Sequence, residues 1–530
     1  MRIEHKDKVF ETVVNRIIEK KIANAIKIPL ETIINDTIYY ERKRLDNEKK
    51  GRKKKQEIQY WKKVNKDLIN ASQSEKEELL RKITEGFVTE IIGNFSPKVY
   101  KFTTKTLPIL LSIFLNTMSP KTIFANFPRL PDVSDTLIID GEIEMLQSLH
   151  KKGTVILVPT HSSNMDSMLV GWALHKINLP PFTYGAGLNL FNNFILSFFM
   201  NNLGAYTVDR KKHAALYKDI LKEYTTCALE FGYHNLFFPG GARSRTGEIE
   251  SRLKLGLLGT GIRAYINNLK NKKEKPNIFV VPCTISFQLV LEAENLIADS
   301  LKETGKSRYI IEDDEFSKLR RISNFLTSIL RLDSKIYVRF CPAFDLFGNR
   351  VDSEGISYDK RGRPIDITRY VLVDGKVEHN QQRDREYTKE LGEVIKKSFY
   401  ENNIVMSLHI LAFVVFRLLK KYNKDTDLYR LLRTGGKTDS FGLTEITIYM
   451  EKLLERLHKL ENQGKIRIDK QIRAGDINAI MEEALKHFSS YHTKVVMYEK
   501  DGKIYHNYPN LIYYYHNRLV NYGLEKIFEG

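Results

Sequence analysis

Two side chains whose types and spacing could do chemistry stand at His161 and Asp166, within the run TVILVPTHSSNMD from Thr154 to Asp166. An imidazole can take a proton from a hydroxyl, and a carboxylate five residues on can orient it. Spacing alone discriminates poorly. Among the thirteen histidines, His379 also has an aspartate, Asp384, five residues beyond it. Context separates the two. Val155 to Val158 reads as a buried strand that Pro159 and Thr160 end, and Ser162 and Ser163 can cap a helix whose first turns carry Asp166. His379 lies in EHNQQRDREY, a polar run with no strand before it, and its spacing reads as coincidence.

Further stretches hold cations where strands should end. GAYTVDR (Gly204 to Arg210) closes on Asp209 and Arg210, and NLFFPGGARSRTG (Asn235 to Gly247) runs through Gly240 and Gly241 to Arg243 and Arg245. Two guanidiniums one serine apart on a glycine-rich loop could clamp a phosphate through paired hydrogen bonds. VVPCTIS (Val280 to Ser286) reads as a strand interrupted by Pro282. Taken singly, each has a plainer reading: a solvated face, a turn, the punctuation at a strand end. Their order along the chain is what those readings leave unexplained.

The elements that must position these residues follow from the alternation of patterns. Strands are expected at 154–158, 181–185, 204–208, 235–238, 278–282 and 335–340, with helices at 163–177, 190–202, 212–231 and 253–268. That alternation predicts an α/β fold, a largely parallel mixed sheet flanked by helices, with functional residues at strand ends. Residues 1–130 read as a helical N-terminal region with a basic segment, 131–350 as the α/β domain, and 351–530 as a mostly helical C-terminal region. In the last, Asp374-Gly375 and Asp501-Gly502 signal tight hairpins. Helices are expected there at 383–399, 404–420, 439–461 and 476–489, and nearer the start at Glu75 to Ile92 and Tyr100 to Asn116.

Bulk numbers narrow the partners. The 530 residues carry 84 basic and 65 acidic side chains, a net charge of +19, which suits an anionic partner. From Glu41 to Lys63, eleven Lys or Arg face four acids; the run reads as a solvated, partly disordered helix or as a site of attraction to an anionic membrane face. Nucleic acid is supported by charge alone, with no recognition motif, and is not expected as a partner. The three cysteines lack metal-ligand spacing, no metal is expected, and buried reduced thiols of a cytosolic protein are the plain reading. The start has no apolar core of signal-peptide type, and no run reaches the roughly 18 to 20 apolar residues of a membrane span. Leu107 to Leu115 and Ile404 to Leu419 read as buried or interfacial helices. Leu190 to Leu203 reads as core packing or an acyl-chain groove, and His409 as a satisfied core histidine.

Together THSSNMDS, GAYTVDR, FPGGARSRTG and VPCTIS resemble, in order, the four sequence blocks of the glycerolipid acyltransferases. RSRTG, GAGLNL and LKLGLLGTG resemble more narrowly the long bacterial and mitochondrial-type glycerol-3-phosphate acyltransferase branch. The resemblance covers about 150 to 300 closely. It implies an acyltransferase in phospholipid synthesis that moves a fatty acyl group from an acyl thioester, carried by coenzyme A or acyl carrier protein, to glycerol 3-phosphate. No cofactor is implied beyond that co-substrate. His161 would be the general base and Asp166 its orienting partner. Arg210, Arg243, Arg245 and Lys254, with Gly241, would hold the acceptor. An anionic membrane surface is the implied partner, with the protein peripheral on the cytoplasmic side of the cell membrane. Gly240 departs from the family, which has a glutamate there; Glu248 or Glu250 could substitute. That departure keeps open a lysophosphatidic acid or other lipid acceptor, or a catalytically inactive lipid-binding scaffold.

Overall fold

Val155, Ile156, Leu157 and Val158 have no exposed surface, as expected of a strand covered on both faces. In the computed structural model, which describes residues 3–48, 51–104, 136–188, 194–304, 334–490, 492 and 495–529, this strand is the middle of a seven-stranded sheet. The strands are β1 (Leu137–Gly141), β2 (Thr154–Pro159), β3 (Thr183–Gly187), β4 (Ala205–Val208), β5 (Asn235–Leu236), β6 (Ile278–Phe287) and β7 (Ile336–Phe340). Their order is β1-β7-β6-β2-β5-β3-β4. From β6 to β4 all neighbours are parallel; β7 runs antiparallel to β6, and β1 is parallel to β7. The sheet is therefore largely parallel and mixed, flanked by helices, as the alternation predicted.

Three local expectations need correction. Pro282 does not interrupt its strand: β6 continues through it to Phe287. Its missing N–H faces the place where the β7 ladder, starting at Cys283, gives way to a single bridge between Val280 and Phe344, so no ladder bond is lost. The helix expected over 253–268 begins only at Thr260, because the Lys254 N–H is bound to the Pro239 carbonyl oxygen at 2.7 Å and the chain turns through Gly259 before it coils. Strand β1 was not foreseen. It is short and half-buried, and pairs with β7 from far along the chain.

Among the described residues, helices before the sheet include α1 (Ile3–Ala23), α2 (Leu30–Asp46), α3 (Arg52–Ile69) and α4 (Gln73–Ile91), the last opened by a capping box between Ser72 and Glu75. Their apolar faces share a cluster with the helix Ala215–Glu230, where Arg16 grips Glu230 through two hydrogen bonds of 2.8 Å. The described part of the basic run is helical. Its buried Arg44 gathers Glu41, Glu48 and Glu57, so acids of the run are spent inward while Lys53, Lys55, Lys62 and Lys63 stay exposed. The expected helix from Tyr100 is described only to residue 104; Leu107 to Leu115 lies outside the described residues, and Leu190 to Leu203 is described from 194.

The C-terminal helices share one apolar cluster with the sheet. The helix Ser407–Tyr422 is buried along nearly its whole length. His409 within it accepts the Met406 N–H at 3.2 Å, and burial presses its pKa down to about 3. Both hairpins form, with φ of 49° and 78° at Asp374 and Gly375, and 52° and 71° at Asp501 and Gly502. Left-handed conformations at both central residues define the turn that matches strand twist. Among the described residues no helix is long and apolar enough to cross a membrane.

Candidate active site

His161 stands just beyond the end of β2, after Thr160, at the carboxyl edge of the parallel strands. The serines after it do not cap the next helix. That helix, Asp166–Lys176, starts at Asp166 itself, and the Asp166 carboxylate reaches backward. Its Oδ2 accepts the Ser162 N–H at 2.7 Å, the Ser163 N–H at 2.9 Å and Nδ1 of His161 at 2.8 Å. An ionised carboxylate can only accept, so Nδ1 is the donor in this bond, and in a neutral ring so bonded Nε2 keeps the lone pair. The Asp166 side chain is fully buried, while His161 keeps 13% of its side chain open. One face of the ring is covered by Phe238, with centroids 4.1 Å apart and planes 23° from parallel. Asp166 and Phe238 between them fix the orientation of the imidazole ring.

The arginine loop is tied to the histidine by backbone bonds. The Ser244 N–H donates to the His161 carbonyl oxygen at 2.8 Å, which sets Arg243 and Arg245 on either side of that contact. Arg243 donates to Glu292 Oε1 at 3.1 Å; the other Glu292 oxygen accepts the Ser163 hydroxyl at 2.8 Å, and Oε1 also accepts the Asn164 N–H at 3.0 Å. One buried carboxylate thus connects the first block to the third. Burial pushes its pKa up, and the Arg243 charge opposes that rise.

Arg210, after β4, comes near the same loop: desolvation first, then the Arg243 charge, lower its pKa. Repulsion between two guanidiniums marks a place where an anion would be welcome. Asp209 does not spoil this, because its carboxylate accepts the Lys211 N–H at 2.8 Å. Lys254 lies over Gly241. That glycine has φ of 72°, and a β-carbon there would sit 2.5 Å from the lysine Cδ. Arg245 is half-buried on the same loop.

The structure thus brings His161, Asp166, Arg210, Arg243, Gly241 and Lys254 to one strand edge. It also brings the decoy pair together: His379 Nδ1 lies 3.6 Å from Asp384, but Arg383 binds the same aspartate and half-exposed His379 turns Nε2 to Asn267.

Sequence reasoning missed Phe238, Glu292 and the C-terminal buttress. The helix Pro509–His516 packs on the arginine loop so closely that a β-carbon on Gly247, at φ of 81°, would lie 2.1 Å from the Tyr514 carbonyl oxygen. Asn517 donates to the Thr246 carbonyl oxygen at 2.9 Å, and the buried Arg518 to the Ile285 carbonyl oxygen at 3.2 Å. Glu292 had no nearby signal; only its place just past the fourth block could have suggested it. Glu250, one of two carboxylates considered against the Gly240 departure, accepts the His161 N–H at 2.6 Å.

Known proteins agree with the class this geometry defines. Residues 141–286 match the family model described as Acyltransferase, a span that holds the first four strands after β1 and most of β6. Curated relatives narrow the likeness. The chain is 25% identical over 247 residues to a glycerol-3-phosphate acyltransferase of Pseudomonas paraeruginosa, covering 46% of this chain and 26% of that one. It is 31% identical over 184 residues to the glycerol-3-phosphate acyltransferase of Baumannia cicadellinicola, covering 34% of this chain and 21% of the relative. The chain spans about a quarter of the length of the curated relatives it matches.

Proposed function

We propose that this protein transfers a fatty acyl group from an acyl thioester to the hydroxyl of glycerol 3-phosphate. The observation that carries the reading is the His161–Asp166 pair on a turn whose backbone is bonded to the arginine loop through Ser244. Nε2 takes the proton of the acceptor hydroxyl as its oxygen attacks the thioester carbonyl carbon. A tetrahedral intermediate forms and collapses, the carbon–sulfur bond breaks, and the departing thiolate takes the proton back from the imidazolium. Asp166 stabilises that imidazolium and holds its tautomer. Arg210, Arg243, Arg245 and Lys254 bind the acceptor phosphate, which places the hydroxyl over Nε2; such positioning supplies much of the acceleration. The relatives' printed names support the acceptor. The acyl donor is a thioester of coenzyme A or acyl carrier protein, and the α/β part, 131–350, does the chemistry between helical regions at 1–130 and 351–530.

A panel of acceptors tests the assignment: glycerol 3-phosphate, glycerol, lysophosphatidic acid and dihydroxyacetone phosphate, each with one acyl thioester. Preference for glycerol 3-phosphate, with glycerol accepted poorly, is expected. Preference for lysophosphatidic acid would overturn it.

The same reading places the protein on the cytoplasmic, anionic face of the cell membrane. Its support is one end of the helical bundle, where the α2 and α4 first turns meet through Glu31 and Lys76 at 2.9 Å. Ile26 (98% exposed), Ile28 and Ile69 (71%) project there, with Lys27 and Lys66 exposed beside them. Apolar tips between lysines suit the headgroup boundary of an acidic bilayer.

A further inference from the structure

We infer that Glu250 is a positioning residue for His161, and that it works from the space Gly240 leaves open. The inference rests on the acyl-transfer reading for its kinetic consequence, but its geometry stands apart from it. Oε1 of Glu250 accepts the His161 main-chain N–H at 2.6 Å, the shortest bond made by that backbone turn. The imidazole is thereby held from two sides: Asp166 fixes its Nδ1, and Glu250 fixes the peptide plane from which the ring hangs.

Gly240 makes this possible. A β-carbon built there would lie 3.0 Å from Glu250 Cγ and 3.1 Å from Oε1, tighter than side chains normally pack. A methyl group at 240 would make the Glu250 side chain give by a few tenths of an ångström, and a longer side chain would compete with its carboxyl for the same space. Gly240 and Glu250 therefore form one unit, in which a carboxyl group from ten residues along the chain enters the loop where a side chain of residue 240 would point. The departure at Gly240 and the inward-turned Glu250 carboxyl account for each other.

The rest of the carboxyl is closed off. Oε2 is buried and makes no hydrogen bond among the described residues, so this group is not spent on a competing structural contact. It faces the Asp166 carboxylate, the His161 N–H and the guanidinium of Arg518 from the C-terminal segment. Burial, opposed by that N–H and by Arg518, pushes its pKa up to about 7. The neutral carboxyl is thus populated near neutrality, and a glutamine amide oxygen is a fair substitute for Oε1 as acceptor.

The test uses the full chain with an acyl thioester and glycerol 3-phosphate. Glu250→Ala is expected to lower kcat by about ten- to a hundredfold with the acceptor KM within about twofold, because a misplaced base slows chemistry more than binding. Glu250→Gln should cost only a few-fold. Returning the carboxyl to the other position, in Gly240→Glu/Glu250→Gly, should recover most of what Glu250→Gly loses, whereas Gly240→Glu alone, with two carboxyls crowding one space, should fall below wild type. A loss confined to acceptor KM would make Glu250 an acceptor ligand instead and overturn the inference. So would a double variant no better than Glu250→Gly, or an unchanged kcat in Glu250→Ala.

A second measurement does not depend on turnover. In selectively ¹⁵N-histidine-labelled protein, the His161 amide proton should resonate downfield, as a strongly bonded one does, move upfield in Glu250→Ala and stay near its place in Glu250→Gln. If the wild type transfers no acyl group at all, the acyl-transfer reading falls, and this resonance alone decides whether Glu250 holds His161. An amide unmoved by Glu250→Ala refutes the positioning role.

Discussion

At the scale of single residues, three carboxyl groups divide the contacts of the proposed site among them. Asp166 serves the imidazole, Glu250 serves the backbone that carries it, and Glu292 serves the arginine loop. Removing one should leave a signature that the others do not. Asp166→Asn can donate as well as accept and would favour the wrong tautomer, so kcat should fall by about 10²-fold or more with little change in acceptor KM. Glu292→Ala removes one partner of Arg243 and leaves the Ser163 hydroxyl without its acceptor; acceptor KM should rise about tenfold while kcat changes less. Steady-state kinetics with varied glycerol 3-phosphate separates the two. Glu250 also gives a prediction for stability. Its folded pKa of about 7 lies above the ordinary carboxyl value of 4.5. Protonated Glu250 therefore favours the folded state; that contribution is complete below about pH 4.5 and is lost as pH rises through 7. Thermal unfolding followed between pH 5 and pH 8 should show wild type losing stability relative to Glu250→Gln. An unchanged difference across that range would contradict the burial of the carboxyl.

At the scale of elements, the strand ends and the loops after them do the positioning, and much of this could be read from the chain. The apolar run at Val155 to Val158, the cations after β4 and β5, and the two Asp-Gly hairpins each carry a local signal, a pattern or turn chemistry that a short window contains. What was not legible depends on partners distant in sequence. Pro282 reads as an interruption because the missing N–H is visible, whereas the gap in the β7 ladder that accommodates it is not. The helix near 253 is delayed by a bond from Lys254 to Pro239, a tertiary choice that helix periodicity does not reveal. Glu292 and the Glu250–Gly240 contact arise only once β2, β5 and β6 lie side by side. The arginine loop makes a testable element: Gly247→Ala combines φ of 81° with a 2.1 Å clash against Tyr514, so the helix Pro509–His516 must back away. Destabilisation of about 2 kcal/mol or more is expected in denaturant unfolding, together with reduced activity.

At the scale of the whole molecule, the strand edge that carries the proposed site is supported from two directions. The N-terminal helices reach it through Lys212, which binds Glu90 of α4 at 2.6 Å and lies two residues beyond Arg210. The C-terminal helices reach it through Asn517 and Arg518. The exposed isoleucines of the helical tip give the membrane proposal its own test. Sedimentation with vesicles rich in phosphatidylglycerol should show binding that weakens with added salt and falls further in Ile26→Ser/Ile28→Ser, without loss of activity on soluble substrates. Binding unaffected by both salt and substitution would place the membrane contact elsewhere.

The proposed function rests above all on His161 as the base that takes the proton of the glycerol 3-phosphate hydroxyl. Transfer from an acyl thioester to glycerol 3-phosphate should be measured for the wild type and for His161→Ala, with folding of both checked by thermal unfolding. We expect turnover by the wild type and a loss of about 10²- to 10⁴-fold in the folded variant. No transfer by the wild type, or undiminished transfer by His161→Ala, would contradict it.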